Sequence, residues 1–236
     1  MRKTLRFLQL SALSSFLLAA CGTQDDFDLS SLPVTSEDDK SDAAAKNPLT
    51  WSRPSASMVV CIRHPCATNM VFDVNTAASH LVYAYDWRSL KLSQGDERNA
   101  TAHASSMLLR GRYTSVKVAG EDMQVFQVTR ANMRVSEALV DSPETDRYYS
   151  TKAATTGCPQ GTCNGLAATR LNLANPQPEI WTGADLSKLG LTQQAATKLQ
   201  EELAAGTAFV STNGQAKDGI VPIGQAFRPL KAGPLQ

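Results

Sequence analysis

Cys61-Ile62-Arg63-His64-Pro65-Cys66 and Cys158-Pro159-Gln160-Gly161-Thr162-Cys163 share one frame, and Asn75 and Asn172 each follow the second cysteine by nine residues. All three matched positions are displaced by 97 residues. Met58-Val59-Val60 leads into the first frame and Asn69 to Val74 leads out of it, both rich in β-formers. Cys61 and Cys66 are therefore predicted to bracket a four-residue hairpin loop. Residues facing each other across such a loop have Cα atoms ~5.5 Å apart, within disulfide reach. Closing a six-residue ring contributes about 2 kcal/mol in the chain-entropy account, and fixes hairpin register besides.

Working outward, Leu81-Val82-Tyr83-Ala84-Tyr85 alternates as a third strand. Asp86-Trp87-Arg88-Ser89-Leu90-Lys91-Leu92-Ser93 then matches Asp185-Leu186-Ser187-Lys188-Leu189-Gly190-Leu191-Thr192 as Asp-x-x-x-Leu-x-Leu-Ser/Thr. Asp86 and Asp185 read as caps of short helical turns, Ser93 and Thr192 as caps of longer helices. Ala100, Ala104, Met107 and Leu108, closed by Gly111, place the first helix over 94–109; Ala196, Leu199 and Leu203, closed by Gly206, place the second over 193–205. Tyr113 to Val118 and Met123 to Thr129 read as a hairpin around Gly120-Glu121-Asp122. Asn213-Gly214 and Asp218-Gly219 mark later turns, and Pro222 points to an edge strand. The expectation is an α+β fold of two tandem copies, β-β-β-α-β-β, each an antiparallel sheet with one packed helix and a disulfide-closed hairpin. The copies span 51–142 and 143–236.

Formal net charge over the 236 residues is +1, with 42% hydrophobic and 19% charged residues. That is ordinary for a globular protein and too weakly basic for a nucleic-acid footprint. The charge is uneven. Arg2, Lys3 and Arg6 precede an apolar run from Phe7 to Ala20, and residues 22–50 carry seven acids against two lysines. The apolar run is too short for a stable span and is followed by Leu18-Ala19-Ala20-Cys21-Gly22. This junction resembles the lipobox of bacterial lipoproteins. The resemblance implies a signal peptide over 1–20, cleavage before Cys21 and acylation of that cysteine. Several acyl chains at ~0.8 kcal/mol per buried CH₂ would hold the chain on a membrane. Residues 21–50, with the run "TSEDDKSDAAAK", are predicted to be the lipidated cysteine and a disordered acidic tether. Gly22, where an inner-membrane retention signal would place Asp, implies the outer membrane of a bacterial cell envelope.

Together the lipobox, the acidic tether and the repeated Cys-x4-Cys frame followed by Asn resemble a group of uncharacterised bacterial lipoproteins. These are of the sort found in predatory soil bacteria and carry a domain of unknown function. The likeness covers roughly residues 51–230. The group carries Gly-Gly and an aromatic after the second cysteine; Asn164-Gly165 keeps part of this and Ala67-Thr68 departs from it. The resemblance implies an address and a fold, and no activity.

With Cys21 set aside, four cysteines remain in a compartment that permits disulfides. Four cysteines allow three connectivities, and the matched frames favour the local pairs Cys61–Cys66 and Cys158–Cys163. Metal ligation would want shorter spacing and histidine partners, and a redox pair would want Cys-x-x-Cys at a helix start. No metal or cofactor is expected. His64, His80 and His103 are the three histidines, and none sits in a hydrolase or metalloprotease motif. A set such as Ser105, His103 and Asp96 can be written, but such residues are too common for it to carry weight, so no catalytic residue is assigned. Trp51, Tyr83, Tyr85, Trp87, Tyr148, Tyr149 and Trp181 could line a sugar-stacking face, though core packing is the commoner use. Arg63 and His64, on a ring stiffened by Pro65, form a possible interaction loop. The expected function is a non-enzymatic, membrane-anchored binding module with an envelope protein or polysaccharide as partner and no nucleic acid. The alternatives are a protease-inhibitor-like module using the Cys61–Cys66 loop, and a cell-wall hydrolase or accessory enzyme.

Overall fold

The computed structural model describes residues 47–55, 59–136, 146–155 and 165–230. Residues 1–20, read as a signal peptide, Cys21, the expected tether up to residue 46, and Cys158 with Cys163 lie outside the described residues.

The strands are β1 (Thr50–Ser55), β2 (Asn69–Asp73), β3 (Ser79–Val82), β4 (Ala84–Asp86), β5 (Met107–Val118), β6 (Glu121–Arg134), β7 (Arg147–Ala153), β8 (Leu166–Arg170), β9 (Glu179–Trp181), β10 (Gly183–Asp185), β11 (Phe209–Thr212), β12 (Ile220–Pro222) and β13 (Gln225–Pro229). Two short helices, α1 (Gln94–Ala102) and α2 (Gln193–Ala204), complete the fold. One sheet runs β3-β2-β1-β5-β6-β13-β11-β7-β8-β9, with β4 added parallel to β6 as its eleventh strand; β10 and β12 pair separately. The expected tandem β-β-β-α-β-β copies, each with its own sheet, are therefore not what forms. β13 lies antiparallel against β6 and joins everything into one, mostly antiparallel, sheet. The helices are a minor component laid on that sheet.

The sheet is rolled. Trp51 on β1 and Phe209 on β11 have ring centroids 4.6 Å apart. Yet β5, β6 and β13 lie between these strands along the hydrogen-bonded path. Four steps across a flat sheet would separate them by roughly 19 Å. Only curling brings the rings together. The roll is closed by side chains. Asn75 Oδ1 accepts the Tyr148 N–H at 2.8 Å, and its Nδ2 donates to the carbonyls of Tyr148 and Leu171. Asn172 does the same for Trp51 N–H at 2.7 Å and for the carbonyls of Trp51 and Val74. The backbone φ is +60° at Asn75 and +58° at Asn172, a left-handed conformation that asparagine tolerates better than most residues. The two sets of bonds match partner for partner: one backbone N–H and two carbonyls for each asparagine.

Three apolar clusters follow from the roll. Val74, Leu108, Tyr148, Leu171, Phe209 and Phe227 fill the inside, with Trp51 against them. On the outer face α2 packs Leu199 and Leu203 on Tyr149, Val210 and Ala226. Under α1 lie Val71, Tyr85, Trp87, Met107, Leu109 and Phe126. Ser93 and Thr192 cap the helices as read from the sequence, accepting from Asp96 N–H and Ala195 N–H. The first helix ends at Ala102, short of the expected 109. Met107 and Leu108 were read onto the helical stripe, but in β5 they and Leu109 are buried on alternate faces of the sheet, which no short helix offers them. The β5–β6 turn is Ala119-Gly120, both with positive φ, one to two residues earlier than read. Gly111 sits at a bulge between these strands. A Cβ there would lie 2.2 Å from the Gln127 carbonyl oxygen. Pro222 is on an edge strand as expected, paired only with β10.

Candidate functional site

The disulfide Cys61–Cys66 forms, with Cα atoms 6.1 Å apart. It does not close a hairpin at its mouth. β1 and β2 do pair, but β1 ends at Ser55 and β2 begins at Asn69, so the ring sits within the long connection between them rather than directly at the strand ends. Pro54 opposite Val71 and Ser55 opposite Met70 are the last pairs before the chain leaves the sheet. The predicted contact residues Arg63 and His64 are exposed there. Ile62 belongs to the same four-residue loop, and Val60 stands just before it. Ile62 is 99% exposed and Val60 is 82% exposed. The matched frame at Cys158 and Cys163 lies outside the described residues.

The seven aromatics do not make one face. Tyr85, Trp87, Tyr148, Tyr149 and Trp181 are buried. Trp87 donates its indole N–H to Thr101 on α1, and Tyr149 meets Trp181 edge to face. They pack sheet against helix or fill the roll.

The histidines are also dispersed. His103 caps the end of α1 while Asp96 lies in its first turn, and the Ser105 carbonyl accepts from Arg53. Those three residues make no joint site. His80 is better placed, with Nε2 3.5 Å from Asp73 and its ring 4.1 Å from that of Tyr113. Asp73 Oδ1 accepts from Ser52 Oγ at 2.7 Å and from Tyr113 at 2.6 Å. Burial and this carboxylate push the Tyr113 hydroxyl well above the usual phenol range. Ser52 donates to the carboxylate directly, whereas a nucleophile would donate to an imidazole that the carboxylate orients. The arrangement ties β1, β2, β3 and β5 together. Asp86 accepts from Arg88 N–H and Asp185 from Ser187 N–H, each serving its own turn. No group of three His, Cys, Asp or Glu side chains converges among the described residues. No helix among them is long and apolar enough to cross a membrane.

A second site has no sequence signal. Arg53 points inward from β1 and is only 4% exposed. Its guanidinium donates to Gln225 Oε1 at 2.7 Å and to the Ser105 carbonyl at 2.9 Å. Gln225 in turn donates to Asp146 Oδ2 at 3.1 Å, and Ser211 donates to the same oxygen at 2.7 Å. Phe227 lies under the guanidinium, 5.1 Å from it. Gln225 thus stands between a buried cation and a buried carboxylate. Burial pushes the Asp146 carboxyl above the usual range, against the pull of Ser211, Gln225 and Arg53. Burial likewise depresses Arg53, and it pushes the Tyr148 hydroxyl up to about 12. A cavity of about 170 Å³ lies against Arg53, Asp146 and Tyr148, with Val74, Asn75 and Thr76 along its other side. No family model, no characterised protein and no solved structure matches this chain.

Proposed function

We propose that the protein is a lipid-anchored lipoprotein of a bacterial envelope, acting at the outer membrane as a binding module rather than a catalyst. Its contact element is the Cys61–Cys66 loop. One observation carries this reading: Ile62 stands 99% exposed beside Val60 at 82%, on a covalently closed ring. An aliphatic side chain held in water by a ring gains by docking on an apolar partner surface. A constrained loop also loses less conformational freedom when it binds. Arg63 and His64 flank Ile62 with directed donors and favour a protein partner over a plain lipid surface. Support for the anchor is the sequence around Cys21, with three basic residues, an apolar run and small residues before the cysteine.

The test places a photo-crosslinking amino acid at Ile62 in the full-length protein on native membranes, with Leu173 as a control position of comparable chemistry. A discrete adduct at Ile62 alone, lost when the disulfide is reduced, supports the reading. No adduct, or the same adduct from both positions, sinks it. An adduct to a protease that disappears with Arg63→Ala would move the assignment to inhibition. Anchoring is checked by labelling with an alkynyl fatty acid. Label should attach to the native chain and be absent from Cys21→Ala.

A further inference from the structure

The rows of residues that cross the sheet at the two ends of the roll match by register. Tyr148 lies opposite Ser211, and Ser211 opposite Gln225; Trp51 lies opposite Arg110, and Arg110 opposite Arg130. The first row is neutral and the second carries two adjacent cations. Like charges directly opposite on neighbouring strands are destabilising. The closure does not call for them, because the same asparagine bonds form beside Ser211 and Gln225. Stacking on Trp51, at 5.7 Å for Arg110 and 5.9 Å for Arg130, accounts for where each guanidinium lies, but not for two cations on one ring. Among the described residues, neither guanidinium forms an ion pair or donates a hydrogen bond. Burial, and then the Arg110 charge, depress the Arg130 pKa, and no carboxylate offsets them. Arg110 is exposed, and no nitrogen of the half-buried Arg130 is sealed from water as Nε of Arg53, Arg112 and Arg134 is. We infer from the structure that Arg110 and Arg130 together bind a doubly charged phosphate group, free or as a monoester.

Charge selects that class. Two guanidinium charges balance a phosphate monoester, which carries about −1.5 to −2 at neutral pH, whereas a carboxylate leaves one cation opposed. Each planar guanidinium presents a fork of donors that fits two oxygens of one phosphate. Directly opposed positions on neighbouring strands hold Cβ atoms roughly 4.5–5.5 Å apart, so both forks reach one group. Trp51 and Phe209 hold water off the underside, with the Arg130 guanidinium 4.9 Å from the Phe209 ring. Pairing on such an apolar floor is stronger than in open water. This site shares no residue with the loop at 61–66 and does not rest on the function proposed above.

The full chain is titrated by calorimetry with inorganic phosphate, glycerol 3-phosphate and acetate, near neutral pH and at low salt. Either phosphate should bind at least fivefold more tightly than acetate. Arg110→Gln and Arg130→Gln should each weaken phosphate binding about tenfold or more, the size of a lost charge-assisted hydrogen bond. Arg98→Gln, at an exposed position on α1, removes the same charge elsewhere and should leave binding unchanged. Thermal unfolding of each variant keeps loss of binding separate from loss of fold. Dihexanoyl phosphatidate, a soluble lipid, distinguishes the sources: tighter binding than glycerol 3-phosphate assigns the site to a lipid headgroup, and equal or weaker binding to a free phosphate. The inference is overturned if neither phosphate binds more tightly than acetate. It is also overturned if Arg98→Gln weakens binding as much as Arg110→Gln, or if both site variants bind like the native chain.

Discussion

The two ends of the rolled interior begin from matched positions and finish as opposite environments. At one end Asn75 holds the backbone of Tyr148; at the other Asn172 holds that of Trp51, with the same bonds. Two residues further along each strand stand Arg53 and Ser150. The neighbouring strands differ likewise. Ser211 and Gln225 face each other at the Tyr148 end, and Arg110 and Arg130 at the Trp51 end. The Tyr148 end is a bridge of Arg53, Gln225 and Asp146 beside a cavity. The Trp51 end is filled, with Trp51 against Phe209 and the Arg130 guanidinium 5.9 Å from one ring and 4.9 Å from the other. One closure thus tolerates two unlike interiors. What holds the roll is side chain to backbone bonding, and the chemistry inside is free to diverge.

That contrast can be broken in several ways, beginning with the severest. Arg53→Met strips the partner from Gln225 and from the Ser105 carbonyl. Two buried hydrogen bonds from a charged donor, at about 1.5–3 kcal/mol each, should appear in chemical denaturation as a loss of about 3–5 kcal/mol. A loss under about 1 kcal/mol would mean the polar end contributes little to the fold. Next, Asn75→Ala and Asn172→Ala each remove three hydrogen bonds and leave two backbone groups without a partner, an N–H and a carbonyl, and should each cost on the order of 2–4 kcal/mol. Because their partners match, the two losses should agree within about 1 kcal/mol; a wide gap would show that the ends are not equivalent in closure.

Milder is Trp51→Tyr, which gives the filled end the residue type of the other. It thins the contact with Phe209 and the arginine stack, at a cost of about 1–2 kcal/mol by thermal unfolding. The smallest effect is a pH dependence confined to the polar end. Asp146 holds its proton in the folded state above the pH at which the unfolded chain releases it. The unfolded state therefore binds fewer protons in that window, and stability falls as pH rises from the ordinary carboxyl value to the raised one. Above it the curve is flat with respect to this group. Asp146→Asn should remove that slope, and a slope unchanged in the variant would assign it elsewhere.

Much local structure was legible in the residues. Ser93 and Thr192 were readable as caps because capping is decided within four residues. Asp218-Gly219 and Pro222 were readable for similar reasons and the local pair Cys61–Cys66 forms, whereas Asn213-Gly214 makes a bend with neither residue at positive φ. Asn75 and Asn172 could be seen to correspond, but not to bind each other's half, because their partners lie far along the chain. The misreadings share a cause. A separate sheet for each half was expected because nothing short-range announces that β13 will pair with β6. Met107 to Leu109 carried a helical period and a strand burial at once, and the rolled sheet chose between them. Arg53, in Trp51-Ser52-Arg53-Pro54, reads as a surface residue, and Asp146 follows a polar linker. Residues 53, 146, 211 and 225 become a site only through the register of four strands. The loop at 62–65 was legible as an exposed tip, and Ile62 is exposed, but the tight hairpin read around it is instead a long connection between β1 and β2.

The asparagine closure also sets a timetable. Trp51 and the side chain that satisfies its backbone are 121 residues apart. A chain emerging from its N-terminus must deliver residue 172 before the first strand can be finished. Until then the inner face also lacks Phe209 and Phe227, two members of its apolar cluster. Contacts this distant form late and slowly. The inner cluster and its closure are therefore complete only once nearly the whole chain has been made.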